Sequence, residues 1–158
     1  MSADRTHREL TPTLGAARDL TIWILEDDPV DQRLVTAALA NAGQPPPAAM
    51  TQTAEDLLAL VDAAERPPDL VLVDLNTPGG GGIHLVKELR ARTDFATVPI
   101  VVLTSSVNHR DQIDAVRAGV NAFHVKPFDW RAFNELIALV VAYWSLDGTE
   151  AARGHARR

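Results

Sequence analysis

Four polar segments in this 158-residue sequence carry side chains suited to metal and phosphoryl chemistry. Carboxylates that gather in one place stay ionised only when a cation compensates them, and oxygen ligands without histidine or cysteine suit Mg²⁺. A lysine and a hydroxyl group across the same pocket would bind phosphoryl oxygens, and an aspartate between metal and ammonium suits attack on phosphorus. The segments are Glu26-Asp27-Asp28, Asp74, Thr104-Ser105-Ser106 and Lys126-Pro127.

Each polar segment directly follows an apolar run that predicts a β-strand. The runs at 22–25, 70–73 and 100–103 are continuous and rich in β-branched residues, which is typical of strands buried on both faces of a parallel sheet. Weaker candidates lie at 48–51 and 122–125. Apolar residues at helical spacing fill the gaps between them.

This alternation of strands and helices predicts an α/β fold of the doubly wound, flavodoxin-like (βα)5 type. Its five-stranded parallel sheet would have the strand order 2-1-3-4-5, and ligands bind such sheets beyond the carboxyl ends of the strands. That order places the acidic residues after strands 1 and 3 beside each other. Thr104 and Lys126, after strands 4 and 5, would close the other side of the pocket.

Composition sets the limits of the domain and of its partners. We predict a flexible arm at 1–19, one folded domain at 20–146 and a flexible tail at 147–158. A net charge of −6 argues against nucleic acid as the main ligand. The sequence contains no cysteine and no apolar stretch of about 20 residues, so we expect a cytoplasmic protein that does not enter the membrane.

Two local patterns predict structure rather than chemistry. The segment Asp28-Pro29-Val30-Asp31 is typical of a helix start, with Asp28 as N-cap and Asp31 as the acid of a capping box. The run Gly79-Gly80-Gly81-Gly82 predicts a flexible loop after strand 3, because glycine loses the most backbone freedom on ordering. It lacks the spacing of a dinucleotide-binding loop and the Lys-Ser/Thr of a Walker loop.

Glu26-Asp27, Asp74, Thr104 and Lys126-Pro127, in this order and each after a strand-like run, closely resemble the receiver domain of bacterial two-component response regulators. The resemblance covers roughly residues 20–145. It implies that Asp74 accepts a phosphoryl group from a sensor histidine kinase. The protein would then be a phosphoacceptor and not an enzyme, apart from self-phosphorylation by small donors and autodephosphorylation.

The resemblance also implies a role for each residue of the site. Asp27 would bind Mg²⁺ directly and Glu26 through water, with Asp74 and the backbone carbonyl of Asn76 completing the protein ligands; Mn²⁺ would be a substitute metal. Three residues would contact the phosphoryl group or carry the conformational switch: Thr104, Lys126 and Phe123, which replaces the switch tyrosine of the family.

The same resemblance leads to expectations about partners. We expect a stand-alone regulator that binds an unknown downstream protein and is similar to the small regulators paired with phytochrome-type kinases (bacteriophytochromes). The final helix has more apolar residues than one core-facing stripe requires, which predicts either a homodimer interface or a wide buried face. The interface candidates are Phe133, Ile137, Val140, Tyr143 and Trp144.

Two other functions stay open at the level of sequence. A receiver-like binding module that never takes phosphate is one, although the intact acidic residues and Lys126 argue against it. An aspartyl-phosphate phosphatase of the haloacid-dehalogenase type is the other, but it needs an Asp-x-Asp pattern after strand 1, which Glu26-Asp27-Asp28 does not provide.

Overall fold

A computed structural model describes the backbone of residues 18–154 and the side chains of residues 18–146. Five parallel strands form one sheet in the order β2-β1-β3-β4-β5, as the sequence predicts. The strands are β1 Ile22–Leu25, β2 Ala49–Thr51, β3 Leu70–Val73, β4 Ile100–Thr104 and β5 Ala122–Val125. The helices are α1 Pro29–Asn41, α2 Ala54–Ala63, α3 Gly81–Arg90, α4 His109–Ala118 and α5 Trp130–Gly154.

The apolar runs form strands because both faces of the sheet are covered. Successive side chains of a strand point to opposite faces, so each central strand contributes side chains to two apolar clusters, one on each face of the sheet. Val71 and Val73 of β3 pack on the side of α2 and α3, whereas Leu70 and Leu72 pack on the side of α1 and α5. All residues of β1, β3 and β4 are buried, while β5 at the sheet edge is only partly so.

Local residues determine two helix ends, of which the N-cap of α1 is predicted from the sequence. Asp28 is the N-cap of α1, its carboxylate accepts the Val30 N–H at 2.7 Å, and Pro29 is the first helical residue. Gly119 ends α4 in the left-handed conformation with a φ of 106°, which glycine adopts without strain. The Asp28 cap and Pro29 fix where α1 begins beside the end of β1.

The glycine run differs from the predicted flexible loop. Gly79 and Gly80 adopt positive φ angles of 75° and 69° in a 3₁₀ turn, but Gly81 and Gly82 are the first residues of α3. Gly82 is buried, and a Cβ atom there would lie 2.7 Å from the carbonyl oxygen of Asp74. The missing side chain therefore lets α3 start directly against the backbone that follows β3.

Both predicted domain boundaries lie near the limits of the described chain. The predicted arm at 1–19 lies outside the described residues except for residues 18 and 19. The predicted boundary at residue 146 falls inside α5, whose backbone continues as helix to Gly154. Within the part of the chain that is described, no helix is both long and apolar enough to cross a membrane.

Candidate functional site

The ends of four strands bring the predicted polar residues to one edge of the sheet. Glu26 and Asp74 follow β1 and β3, Thr104 is the last residue of β4, and Lys126 follows β5. The pairing of β1 with β3 sets the first two beside each other, because Leu25 aligns with Val73 in the ladder. The structure thus brings Glu26, Asp74 and Lys126 into direct contact.

The ammonium group of Lys126 is the centre of this site. Its Nζ atom lies 2.5 Å from Glu26 Oε2, 2.9 Å from Asp74 Oδ2 and 3.1 Å from Asp31 Oδ2. The side chains of Glu26, Asp74 and Lys126 are nearly buried, whereas that of Asp31 is 35% exposed. Three carboxylates, two of them buried, therefore share one cation.

Asp74 is held at both carboxylate oxygens. Oδ1 accepts the backbone N–H of Asn76 at 2.9 Å, and Oδ2 accepts a hydrogen bond from Lys126. The backbone N–H of Asp74 donates to the carbonyl oxygen of Leu25 at 3.0 Å, which anchors it to β1. The carboxylate is therefore oriented by two donors before any ligand arrives.

Burial and neighbouring charges act in opposite directions on the pKa values of Glu26 and Lys126, and both values end above the ordinary ones. Burial is the largest cause for Glu26, and with the neighbouring charge of Asp74 it raises the pKa of that carboxyl group to about 7, although Lys126 opposes the shift. Burial alone would lower the pKa of Lys126, but the hydrogen bonds and charges of Glu26 and Asp74 hold it above the ordinary value. Lys126 is therefore charged at neutral pH, while Glu26 changes its charge near pH 7.

A group of three carboxylates could hold a metal ion: Glu26, Asp31 and Asp74 each offer an oxygen, and these atoms lie within 4.8 Å of one another. An all-oxygen set of this kind suits Mg²⁺ or Mn²⁺. Asp27, expected from the sequence as the direct ligand, is partly buried at the end of β1 and is not a member of this group. Its role as a ligand, and that of the Asn76 carbonyl, stay predictions.

Asp31 is the site residue that sequence reasoning missed. The capping-box interpretation is wrong, because the backbone N–H of Asp28 donates to Glu26 Oε1 at 3.1 Å and not to Asp31. Its position in the sequence could have indicated a place in the site, because Asp31 lies in the first turn of a helix that begins directly after the acidic end of β1. That turn is also tied to the strand end, since Gln32 Nε2 donates to the Glu26 carbonyl at 2.7 Å.

The other side of the site is formed by β4 and β5. Thr104 is fully buried; its hydroxyl accepts the N–H of Ser106 at 3.2 Å, and its carbonyl accepts the N–H of Lys126 at 2.7 Å. The side-chain amide of Asn76 donates to the Ser105 hydroxyl at 2.9 Å, which links the ends of β3 and β4. Phe123 is partly buried against the apolar cluster that contains residues of α2, α3 and α4.

An apolar cavity of about 320 Å³ lies between the sheet, α1 and α5, directly beside the carboxylate group. Its walls include Ile24, Leu72 and Phe133, and Lys126 and Asp31 lie at its polar end. Phe128, on the loop that follows Lys126, contributes to the lining although its side chain is fully exposed. The low polarity of these walls adds to the burial that shifts the pKa of Glu26.

The predicted dimer residues divide into buried and exposed ones. Phe133, Ile137 and Val140 belong to the protein's own core on the side of α1, so the structure removes them from any surface interface. Trp144 is partly buried against the same cluster, and only Tyr143 is well exposed. The uniformly apolar pattern of this helix did not show which face the core covers.

The fold and this site define a receiver domain, and comparison with known proteins agrees. The family model of the response regulator receiver domain matches residues 22–138, so the chain belongs to this family of two-component signalling proteins. Chemotaxis protein CheY-3 of Vibrio cholerae is 34% identical over 70% of this chain and 83% of its own length. The KDP operon regulatory protein KdpE of Escherichia coli is also 34% identical, but the chain spans only 44% of it.

Solved structures of response regulators share the fold. The phosphorylated cyanobacterial phytochrome response regulator RcpA superposes with a TM-score of 0.76 at 26% identity, covering 84% of this chain and 98% of RcpA. The Mn²⁺-bound form of response regulator Rcp1 gives a TM-score of 0.69 at 25% identity, covering 78% of this chain and 92% of Rcp1. The strand order and the helix arrangement predicted from the sequence are therefore confirmed.

Proposed function

We propose that Asp74 is the phosphoacceptor of a two-component response regulator that receives its phosphoryl group from a sensor histidine kinase. The observation that supports this most strongly is the fixed Asp74 carboxylate, which accepts hydrogen bonds from Lys126 Nζ and the Asn76 N–H, both at 2.9 Å. An oxygen of Asp74 attacks phosphorus, and the bond from phosphorus to the donor nitrogen or oxygen breaks. The protein accepts and loses this group itself and has no separate substrate to convert.

The surrounding residues supply the electrostatics of the transfer. Mg²⁺, or Mn²⁺ in its place, bound among Glu26, Asp27, Asp74 and the Asn76 carbonyl, would neutralise the carboxylates and the incoming phosphoryl oxygens. Lys126 contributes a positive charge in contact with Glu26 and Asp74, and Thr104 contributes a buried hydroxyl group. Phe123 of β5 would carry the conformational switch, as the resemblance to the family implies.

The partner that we propose for this protein in the cytoplasm is a phytochrome-type histidine kinase. The likeness to the cyanobacterial phytochrome response regulator RcpA, which extends over 98% of that chain, supports this assignment. The motif Glu26-Asp27-Asp28-Pro29 and the Leu103-Thr104-Ser105-Ser106 segment support it from the sequence. Phosphorylation would then change the binding of a downstream protein.

We propose a homodimer contact on the surface that α4, β5 and α5 form at one edge of the sheet. Exposed apolar side chains occur on all three elements, and such groups on a protein surface are typical of contacts with a partner. Leu139 and Tyr143 share one face of α5, and Ile113 and Val116 share one face of α4. These exposed residues replace the buried ones that the sequence suggested.

Intact mass spectrometry after incubation with acetyl phosphate tests the phosphoacceptor assignment. We expect one added phosphoryl group with Mg²⁺, none with EDTA, and none in Asp74→Asn with either. Asp62→Asn is the matched control, because this exposed carboxylate pairs with Arg92, two residues beyond the end of α3, and should not affect the adduct. An adduct that persists in Asp74→Asn, or the lack of any adduct even with beryllofluoride, would contradict the proposal.

A further inference from the structure

We propose that Asp31 is a positioning residue that competes with an incoming phosphoryl group for the ammonium group of Lys126. This inference rests on the proposed role of Asp74 as phosphoacceptor. Asp31 would hold Lys126 in the unphosphorylated protein and release it when Asp74 carries a phosphoryl group. It would thereby set how tightly the site binds that group.

The first step of the argument is the number of donors on Lys126. An ammonium group has three N–H donors, and the three carboxylates at 2.5, 2.9 and 3.1 Å provide three acceptors. No donor is left for a phosphoryl oxygen in this arrangement. Lys126 can therefore contact a phosphoryl group only after one carboxylate has let go.

The second step is the burial of the three carboxylates. The side chain of Glu26 is 5% exposed, so its carboxylate would become a buried charge without Lys126. Phosphorylation removes the carboxylate charge of Asp74, whose side chain is 7% exposed, and brings anionic phosphoryl oxygens into the same space. The side chain of Asp31 is 35% exposed, and water can solvate its carboxylate after release. Asp31 also has the longest contact of the three. Of the two carboxylates that stay charged after Asp74 is phosphorylated, it is therefore the one that Lys126 exchanges at the lower cost.

The third step is the rigid attachment of Asp31 to the site. Asp28 and Pro29 fix the start of α1, and the Gln32 side chain ties its first turn to the carbonyl of Glu26. Asp31 is therefore held over the pocket by the backbone. Its contact with Lys126 does not require a long, flexible side chain to find its partner.

The same turn supplies a matched control. Asp28 carries the same charge three residues earlier, but it is exposed and uses its carboxylate to cap the helix. Asparagine is an equally good N-cap, so Asp28→Asn removes one nearby charge without losing the cap. The difference between Asp31→Asn and Asp28→Asn isolates the contact with Lys126 from the general loss of charge.

Calorimetric titration with beryllofluoride, an analogue of the phosphoryl group, at saturating Mg²⁺ measures the competition. Asp31→Asn removes a partly exposed ion pair that is present only before beryllofluoride binds, so it should tighten beryllofluoride binding about three- to fivefold. Asp28→Asn should tighten it less than about twofold. Equal affinities in the two variants would overturn the proposal. No binding even by the wild type would instead overturn the role of Asp74.

Titration with Mg²⁺ alone separates this role from that of a metal ligand, because Asp31 also belongs to the group of three clustered carboxylates. We expect the two variants to weaken Mg²⁺ binding to a similar, small extent. If Asp31→Asn weakens it more than about tenfold relative to Asp28→Asn, Asp31 acts as a metal ligand and the proposal is wrong.

The sequence offers a direct view of Lys126 that does not depend on phosphorylation. The chain contains only two lysines, Lys87 and Lys126, so protein labelled with ¹⁵N-lysine gives two ammonium signals in NMR, which Lys87→Arg assigns. We expect Asp31→Asn to shift the Lys126 signal and speed its hydrogen exchange, while Asp28→Asn leaves it in place. An unchanged Lys126 signal in Asp31→Asn would refute the contact.

Discussion

Alanine at position 82 would collide with the backbone that carries the phosphoacceptor. A Cβ atom on Gly82 would lie 2.7 Å from the carbonyl oxygen of Asp74 and 2.8 Å from the Cα atom of Leu75. Contacts between carbon and carbonyl oxygen are normally about 3.3 Å or longer, so the backbone must move by about 0.6 Å. Neither obstacle is a flexible side chain, and α3 and the end of β3 must therefore separate.

The expected cost follows from two opposing effects. Overpacking of this kind costs about 1–3 kcal/mol, while replacing glycine by alanine in a helix recovers at most about 1 kcal/mol. We expect Gly82→Ala to lower the free energy of unfolding by about 1–2 kcal/mol and Tm by about 4–8 °C. Because Asp74 is displaced, phosphorylation by acetyl phosphate should also slow by more than the fraction unfolded explains.

Gly81→Ala is the control for this prediction. A Cβ atom there would meet the hydroxyl of Thr77 at 3.1 Å, which a small side-chain rotation relieves, and the Cβ of Ala54 at 3.4 Å, which is an ordinary van der Waals contact. In urea unfolding and in the initial rate of phosphorylation, Gly81→Ala should be close to wild type. If Gly82→Ala matches Gly81→Ala in both measurements, close packing of α3 against Asp74 does not position the acceptor.

Two further changes test the electrostatics and the surface. Glu26 has a pKa near 7 in the folded protein and 4.5 as its ordinary value, so its stabilising contribution is complete below pH 4.5 and lost as pH rises through 7. Urea titrations in EDTA measure the difference in unfolding free energy between wild type and Glu26→Gln, and this difference should fall by up to about 3 kcal/mol between about pH 4.5 and 8. If the unfolding free energies of the two proteins change in parallel with pH, the prediction is wrong. Leu139→Arg should abolish the proposed homodimer in light scattering after gel filtration, measured with and without beryllofluoride, whereas Leu60→Arg, at an exposed site on α2, should not. A dimeric Leu139→Arg would exclude this contact.

The sheet was predictable because its signal is local. The runs at Ile22–Leu25 and Leu70–Val73 are continuous and β-branched, and they form strands with those limits. The parallel order then brings Glu26, Asp74 and Lys126 together, since each follows the end of a strand. One rule about strand ends therefore predicted most of the site.

The parts that sequence missed depend on distances between elements. Asp31 reaches Lys126 only because α1 starts at a particular place beside β1, and its local pattern was equally consistent with a cap. Gly82 looked like part of a loop because the closeness of α3 to Asp74 leaves no trace in hydrophobic periodicity. In α5, Ile137 and Leu139 have similar hydropathy, yet one is buried and the other is exposed.

The position of β5 at the rim of the sheet has a consequence for how such a protein diversifies. The phosphoryl chemistry that we propose depends on residues at the ends of β1 and β3, strands that are enclosed on both faces and tolerate little change. Lys126 directly follows β5, an edge strand whose side chains are only partly covered, and the adjoining surfaces of α4 and α5 are open to solvent. Substitutions there can alter which protein reads the signal without disturbing how the signal is acquired. Evolution can therefore change the downstream partner while the phosphoryl chemistry stays the same.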